Sequence, residues 1–392
     1  MRTILSTVQV LLCSCLLLSG CIEPYAPEAI SSTKNYLVVD GFINSKGITT
    51  INLARTYDIS ANTTPPVETK ASVAIEEEGG MRYVLLESVT KGTYTSASLT
   101  LNSAKNYRLF LRTAAGQEYA STYVPVKTTP AIDNIAWRAT DARLNIYVNS
   151  HDDANKTQYY RWEYEETWEI MSRYVPQFEY KNGKMQDLTT PLPRTCWGNI
   201  RSTDIKISNT TRLNRDVVSD FLVRSFSTRA NQLRYRYSIL VRQHALTPEE
   251  YAYWELLKKN TENIGTLFDP LPAQLTGNVN CLNDAAELAI GYVGVHSLAE
   301  KRIFVNRSEL PTGWQVQDGY EDCVPPDTVF LYKPAPPPPD PVQVLQAAFS
   351  NGSSLPIGAV YDHGFLIGYT AKSKDCVDCR TRGTATRPSF WQ

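Results

Sequence analysis

The sequence predicts a mostly β chain: an N-terminal antiparallel sandwich of immunoglobulin or fibronectin type, then a larger β-rich domain with one or two helices. Three observations predict it. Short apolar–polar alternations recur between glycine and asparagine turns, as in half-buried strands. Tyrosine is abundant (23 residues) and methionine scarce (4), and a ring with a polar tip suits a pleated, half-buried surface. Only one segment combines strong helix-start signals with helical spacing.

The chain opens on an export signal over residues 1–20. Arg2 supplies the positive start, Ile4 to Leu18 is mostly apolar, and the run closes on Leu18-Ser19-Gly20-Cys21. That run is too short for a stable membrane span. Its last four residues resemble the lipobox of prokaryotic lipoproteins, with small residues before the cleaved bond and Cys21 as the lipidated thiol. No other segment approaches 18 uninterrupted apolar residues, so acyl chains on Cys21 are the expected anchor. Residues 21–34, with Pro24, Pro27, Ser31 and Ser32, read as a tether.

Residues 35–125 read as the first sandwich. Strands are expected over Tyr36 to Ile43, Ile48 to Tyr57, Ala71 to Ile75, Met81 to Leu86 after Gly79-Gly80, Tyr107 to Arg112, and Glu118 to Val124. The second domain, 126–392, opens with Ile132 to Trp137 and Leu144 to Val148, which look like the start of a fibronectin-type sandwich. Tyr159 to Ile170 is a long aromatic strand with Tyr160, Trp162, Tyr164 and Trp168 on one face, interrupted by Glu166. Leu233, Tyr235, Tyr237 and Ile239 alternate with Arg234, Arg236 and Ser238, predicting a half-exposed strand. A weaker helix is expected over Arg215 to Ser225. The clear helix is 247–260, where Thr247-Pro248-Glu249-Glu250 reads as a capping box with proline at the first helical position. Residues 334–341 (PAPPPPDP) read as an extended polyproline loop. A strand over Ala359 to Tyr369 follows.

Charge excludes some partners. Lys plus Arg number 39 and Asp plus Glu 40, with no large charge block, so nucleic acid is not an expected partner. No catalytic constellation emerges. The four histidines, His151, His244, His296 and His363, form no metal-binding helix motif, and no nucleophile elbow or phosphate loop occurs. His151-Asp152-Asp153 with Asn155 reads better as a solvated turn than as a calcium loop, and Asp362-His363 as a polar turn rather than an acid–base pair. Glu163, Glu165 and Glu169 share one strand face and read as a solvated ladder. The aromatic rings of 159–168 are expected mainly to pack against the helix carrying Trp254. No metal and no cofactor is expected.

After the signal and Cys21, five cysteines remain: Cys196, Cys281, Cys323, Cys376 and Cys379. An exported chain favours disulfides, and an odd count leaves at least one thiol over. Cys376-Val377-Asp378-Cys379 also admits a metal or redox reading, both weaker without a second ligand pair or a thioredoxin-like surround. The spacing does not give the pairing. The Pro-rich stretch from Phe268, Asp269, Pro270 and Pro272 to Gly277 and Asn278 reads either as a rigid partner-facing loop or as a packed crossover.

Several segments together resemble one family: Cys21-Ile-Glu-Pro, Tyr36 to Ile43, Leu246 through Asn278, Gly291-Tyr292, Lys301 to Phe304, and Cys376 to Trp391. They are similar to the Bacteroidetes lipoproteins grouped as domain of unknown function 4249. The resemblance implies an outer-membrane lipoprotein, often encoded beside a TonB-dependent transporter, and supplies no catalytic residue. It also implies that Cys196, Cys323, Cys376 and Cys379 are the shared, disulfide-forming cysteines, with Cys281 the extra one. The expected function is thus a non-enzymatic accessory of such a transporter, with a peptide or glycan as ligand. The alternatives are a structural or adhesive envelope protein, and a hydrolase with an unfamiliar site. The side of the membrane is left open.

Overall fold

The computed structural model describes residues 35–57, 64–262, 275, 277–332 and 337–391. The signal, Cys21, the tether and most of the Pro-rich stretch lie outside them. Among the described residues no helix is long and apolar enough to cross a membrane.

Eight strands come first: β1 (Leu37–Asn44), β2 (Lys46–Arg55), β3 (Ser72–Glu77), β4 (Arg82–Glu87), β5 (Thr93–Thr100), β6 (Asn106–Arg112), β7 (Glu118–Ser121) and β8 (Val124–Pro125). They pair antiparallel in the order β7-β6-β3-β4-β5-β2-β1, with β8 beside β6, so the first sandwich is one continuous sheet curled over its core rather than two separate facing sheets. Alternate residues such as Leu37, Val39, Ile51, Leu53, Val73, Ile75, Leu109 and Leu111 form the enclosed core. Tyr94, Tyr107 and Tyr119 are fully buried there. Their phenol tips reach polar partners at the rim: the Tyr94 hydroxyl donates to Glu68 O at 3.0 Å and that of Tyr107 to Glu77 at 3.1 Å. This is how so many tyrosines fit a core without orphaned hydroxyls. Strand β5, Thr-Tyr-Thr-Ser-Ala-Ser-Leu-Thr, was not expected, because its inward positions include Ser96 as well as Tyr94 and leave little apolar alternation.

The chain continues with β9 (Ile132–Ala139), β10 (Arg143–Asp152), β11 (Tyr159–Met171), β12 (Phe178–Lys181), β13 (Lys184–Asp187), β14 (Thr195–Arg201), β15 (Lys206–Asn209), β16 (Asp216–Ser227) and β17 (Arg236–Ala245). Helix α1 (Pro248–Glu262), β18 (Val279–Cys281), β19 (Ala289–Ile290), β20 (Val295–His296) and β21 (Leu298–Asn306) follow. One sheet orders β16-β10-β9; the facing sheet orders β14-β11-β17-β21, with β15 beside β11. Three strands thus face a sheet of five, in which β14 and β15 share one edge of β11. Its core joins Leu144, Ile146 and Val148 to Trp162, Tyr164, Tyr237 and Ile239.

Between the sheet neighbours β17 and β21, residues 246–297 make an excursion. Here β18 pairs with β7, and β19 and β20 pair parallel with β1. The excursion therefore extends the first sheet at both of its ends. Strand pieces of two or three residues are too short to leave a periodic trace in sequence.

Beyond β21 come β22 (Asp327–Phe330), α2 (Pro341–Phe349), β23 (Ser354–Asp362) and β24 (Phe365–Ser373), the strands ordered β22-β24-β23. One disulfide, Cys196–Cys379, fastens this region to β14, and a second, Cys323–Cys376, ties the region to itself, while Cys281 is a buried free thiol. The tail closes on the second sandwich, where the Trp391 indole donates to Glu169 at 2.9 Å and lies edge-on to Phe304.

Three expectations are corrected. Arg215 to Ser225 is not a helix: Asp216–Ser227 is strand β16, with Asp216, Val218, Val223 and Phe226 turned inward. Leu233 belongs to a 3-10 turn, and the strand begins only at Arg236. The proline run does not stay extended through 341. The Asp340 carboxylate caps α2 by accepting from Val342 N at 2.9 Å, with Pro341 in the first turn, where a missing amide hydrogen costs nothing.

The two disulfides close loops spanning 183 and 53 positions, so each contributes about 2–4 kcal/mol by restricting the unfolded chain. Reduction is expected to lower the melting temperature by several degrees and to expose residues 307–391 first. Calorimetry with and without reductant, paired with limited proteolysis, checks this; a reductant-insensitive melt would contradict it.

Candidate functional site

Of the residues singled out in sequence, Cys21, Phe268, Asp269, Pro270 and Pro272 lie outside the described residues. Gly277 is half-buried and Asn278 buried at the described end of that loop. The buried Asn278 side chain clips Val293, accepting from its N–H at 2.8 Å and donating to its carbonyl at 3.1 Å. A Cβ on Gly277 would lie 1.7 Å from Gly291 O, and one on Gly291 would lie 2.1 Å from Val39 O. Two glycines are needed because the excursion crosses itself and β1 at backbone contact.

The acidic turn borders a surface cleft of about 570 Å³ that includes Asp133, His151, Asp153 and Asp216. Three of its carboxylates are already occupied, while Asp153 is almost fully exposed. Asp152 accepts from the amides of Ala154, Lys156 and Thr157; buried Asp216 accepts from Tyr160, Thr210 and Gln158; Asp133 holds His151 at 2.7 Å. Asp362 and the exposed His363 sit on a hairpin turn, where His363 and Gly364 both take positive φ, the pattern of a tight two-residue turn.

The glutamate ladder is cross-linked rather than merely solvated. Glu165 meets Arg242 at 3.3 Å and accepts from Asn199 at 2.9 Å, and Glu169 accepts from Trp391. Glu166 does not interrupt the buried face: it lies within the core, accepting from Tyr237 at 2.8 Å and Arg224 at 3.0 Å. The aromatic rings of β11 also pack differently from expectation. Trp162 stacks on Phe221 across the sandwich and donates to Gln243 at 2.8 Å. Helix α1 covers the opposite face, with Trp254 lying 4.2 Å from the Arg161 guanidinium.

That opposite face holds a cluster which sequence did not bring together. His244 is the last residue but one of β17, His296 ends β20, Phe42 comes from β1, Arg161 from β11 and Glu250 from α1. The Phe42 ring stacks on His296 at 4.2 Å and meets His244 edge-on at 5.1 Å, while the two imidazoles lie 5.1 Å apart. Both histidines are at most 1% exposed. His296 Nε2 is 3.9 Å from Glu250 Oε1, and His244 Nε2 is 3.9 Å from Glu163 Oε2. Neither nitrogen of His244 nor Nε2 of His296 has a hydrogen-bond partner.

Burial, then the nearby Arg161 charge, holds His244 well below the usual histidine range and pushes His296 down to about 3. Burial pushes Glu250 up to about 7 against the pull of Arg161. Glu250 has thus left the capping-box role: Thr247 still accepts from its amide at 3.2 Å, but its carboxyl lies against Gly294, where a Cβ would come within 2.1 Å of it. The histidines stand more than fifty positions apart, and no spacing signals that the excursion starts and ends at one place.

With the geometry in view, comparison with known proteins gives one informative result. A family model described as a domain of unknown function (DUF4249) matches residues 22–302. No curated protein matches the chain. One similar solved structure is described as the complete structure of manganese lipoxygenase of Gaeumannomyces graminis and partial structure of zonadhesin of Komagataella pastoris. It is 8% identical over 56% of this chain and 91% of that chain, with a TM-score of 0.17, too low to carry an argument.

Two outcomes are expected at this site. Gly277→Ala should destabilise the fold by about 2 kcal/mol or more, since the backbone carbonyl it meets cannot yield; denaturant titration measures it. Glu250 has a raised folded pKa, so its cost is present above about 7 and absent below about 4.5. Glu250→Gln should therefore raise stability at pH 8, relative to its effect at pH 4.5, by about 3 kcal/mol at most. Parallel unfolding curves at the two pH values decide it, and an equal effect at both would refute the assignment.

Proposed function

The chain belongs to the family described as domain of unknown function DUF4249, and we propose that it is a lipid-anchored accessory protein of the bacterial outer membrane. It works beside a TonB-dependent transporter in capturing or importing a ligand. The observation that carries the reading is the order Leu18-Ser19-Gly20-Cys21, a Pro- and Ser-containing tether, then β sandwiches with no membrane-crossing helix among the described residues. A cleaved and acylated Cys21 anchors such a chain without a span.

Binding without chemistry fits the geometry. Asp133, Asp152 and Asp216 at the acidic cleft are engaged in turns and strand joints. The ligand is a peptide or glycan met by surface loops and exposed rings, such as Tyr332, Tyr361 and Phe365, since aromatic faces and phenol tips suit both.

The second reading, a structural or adhesive envelope protein, draws on the two sandwiches in series and the disulfide-fastened C-terminal region. One experiment separates them. Tagged protein is recovered from gently solubilised outer membrane, and its companions are identified by mass spectrometry. The import reading expects a stoichiometric transporter, and loss of both membrane retention and companion in Cys21→Ala. Recovery of the protein alone, or with wall-linked proteins, would favour the structural reading.

A further inference from the structure

The junction cluster carries an inference independent of the anchor and of any transporter. The excursion leaves the second sandwich at His244 and returns at His296, and both rings close on Phe42 of the first sandwich. We propose that this joint is a proton-operated latch: protonation of His244 and His296 releases strands β19 and β20 from β1 and helix α1 from the face of β11.

The surroundings favour this over other uses of three unpartnered imidazole nitrogens. A metal ion does not suit them, because Arg161 already places a cation beside both rings. Among the described residues the only three donor groups that converge are Cys323, Asp375 and Cys376, and both sulfurs are in a disulfide. A proton is the cation that the nitrogens can take, and the closed joint disfavours it.

The groups facing the rings are few. From β11 come Arg161 and Glu163, already paired with each other. From β17 comes Arg242, engaged by Glu165 and Glu300. Glu250 comes from α1. The Lys127 ammonium, on the segment bridging to β20, turns away to Lys156 O at 2.5 Å. From β1 the near group is the Phe42 ring. An imidazolium in the closed joint would meet the Arg161 cation with no free anion except Glu250. Once the joint opens, water solvates it.

The sign follows from proton counts. Both histidines bind protons near 6.5 when open and stay neutral when closed, so acid favours opening. Glu250 works against them, since the closed state holds its proton from about 7 downward and the open state only near 4.5. Between about 6.5 and 4.5 the open joint thus takes up one net proton, and the opening constant rises about tenfold per pH unit. Without the Glu250 carboxylate it would rise about a hundredfold per unit.

The test is hydrogen exchange by mass spectrometry on the full chain between pH 7.5 and 4.5, corrected for intrinsic exchange. Protection over 248–262 and 289–296 is expected to fall about tenfold per unit below 6.5, while β10 and β11 stay protected. Glu250→Gln should steepen this fall, the double variant His244→Gln/His296→Gln should abolish and reverse it, leaving only the opposing proton of Glu250, and His151→Gln should leave it unchanged. A flat wild-type profile, or a double variant with the wild-type slope, overturns the latch. Should the double variant not fold, Glu250→Gln decides: an unsteepened slope overturns the latch equally.

Discussion

The pairing of β17 with β21 is the constraint on which the rest of the structure depends. These strands run register-matched from Arg236 opposite Asn306 to His244 opposite Leu298, yet the chain between them travels through residues 246–297. A hairpin of that size gains little from its own closure, because closure entropy grows only slowly with loop length. What fixes it is the use of the excursion as sheet material elsewhere. Strand β18 completes one end of the first sheet, β19 and β20 the other, and the returning segment grips the linker between sandwiches. Thr129 receives Ala245 N at 3.1 Å, donates its own amide to Ser297 Oγ at 2.9 Å, and donates its hydroxyl to Ser297 O. The two sandwiches are therefore one mechanical object as long as this base is closed.

Buried polarity is handled differently inside the second sandwich and at its junction. Within the sandwich the buried groups that join strands answer one another: Trp162 by Gln243, Gln243 by Ser150 and Pro130 O, Glu166 by Tyr237 and Arg224, Asp216 by Tyr160 and Thr210. Satisfied networks of this kind tie strands of opposite sheets into one register, and each loses much if a single member is removed. At the junction the imidazoles are buried without partners, which costs stability rather than adding it. Two buried imidazoles left with three unmatched nitrogens at one boundary make it a place of weak buried contacts.

Sequence carried the class and much of the strand order, because apolar alternation in Tyr36–Ile43, Leu144–Val148 and Tyr159–Ile170 is a direct trace of one buried face. The helix over Pro248–Glu262 was legible from Thr247 and Pro248 for the same local reason. What could not be read were the features set by distant chain. Strand β16 contains stretches that pass for helix, and its strand state is imposed by β10. Glu250 looks like a capping-box residue until Gly294 and His296 are placed against it. The candidate site shared that fate, since Cys196 through Cys379 were visible as cysteines but not as particular pairs, and His244 and His296 acquire meaning only from a crossing made by Gly277 and Gly291.

The region that matches the family model ends at Arg302, inside β21, but the fold does not end there. Residues 303–306 complete the β21 ladder to Arg236. Trp391 then caps Phe304 and Glu169, and the Arg302 guanidinium lies 3.5 Å from the Phe390 ring centre. Cys379 reaches back to Cys196 in β14. Contacts from the tail thus fall on both outer strands of the β14-β11-β17-β21 sheet, covering a face whose arginines and glutamates would otherwise meet water. The C-terminal region is thereby an outer layer on the second sandwich rather than an independent appendage. It is held by one disulfide at the β14 edge and by a stacked cation at the β21 edge, so the β17–β21 base is the part of the second sandwich that this layer does not fasten to the first.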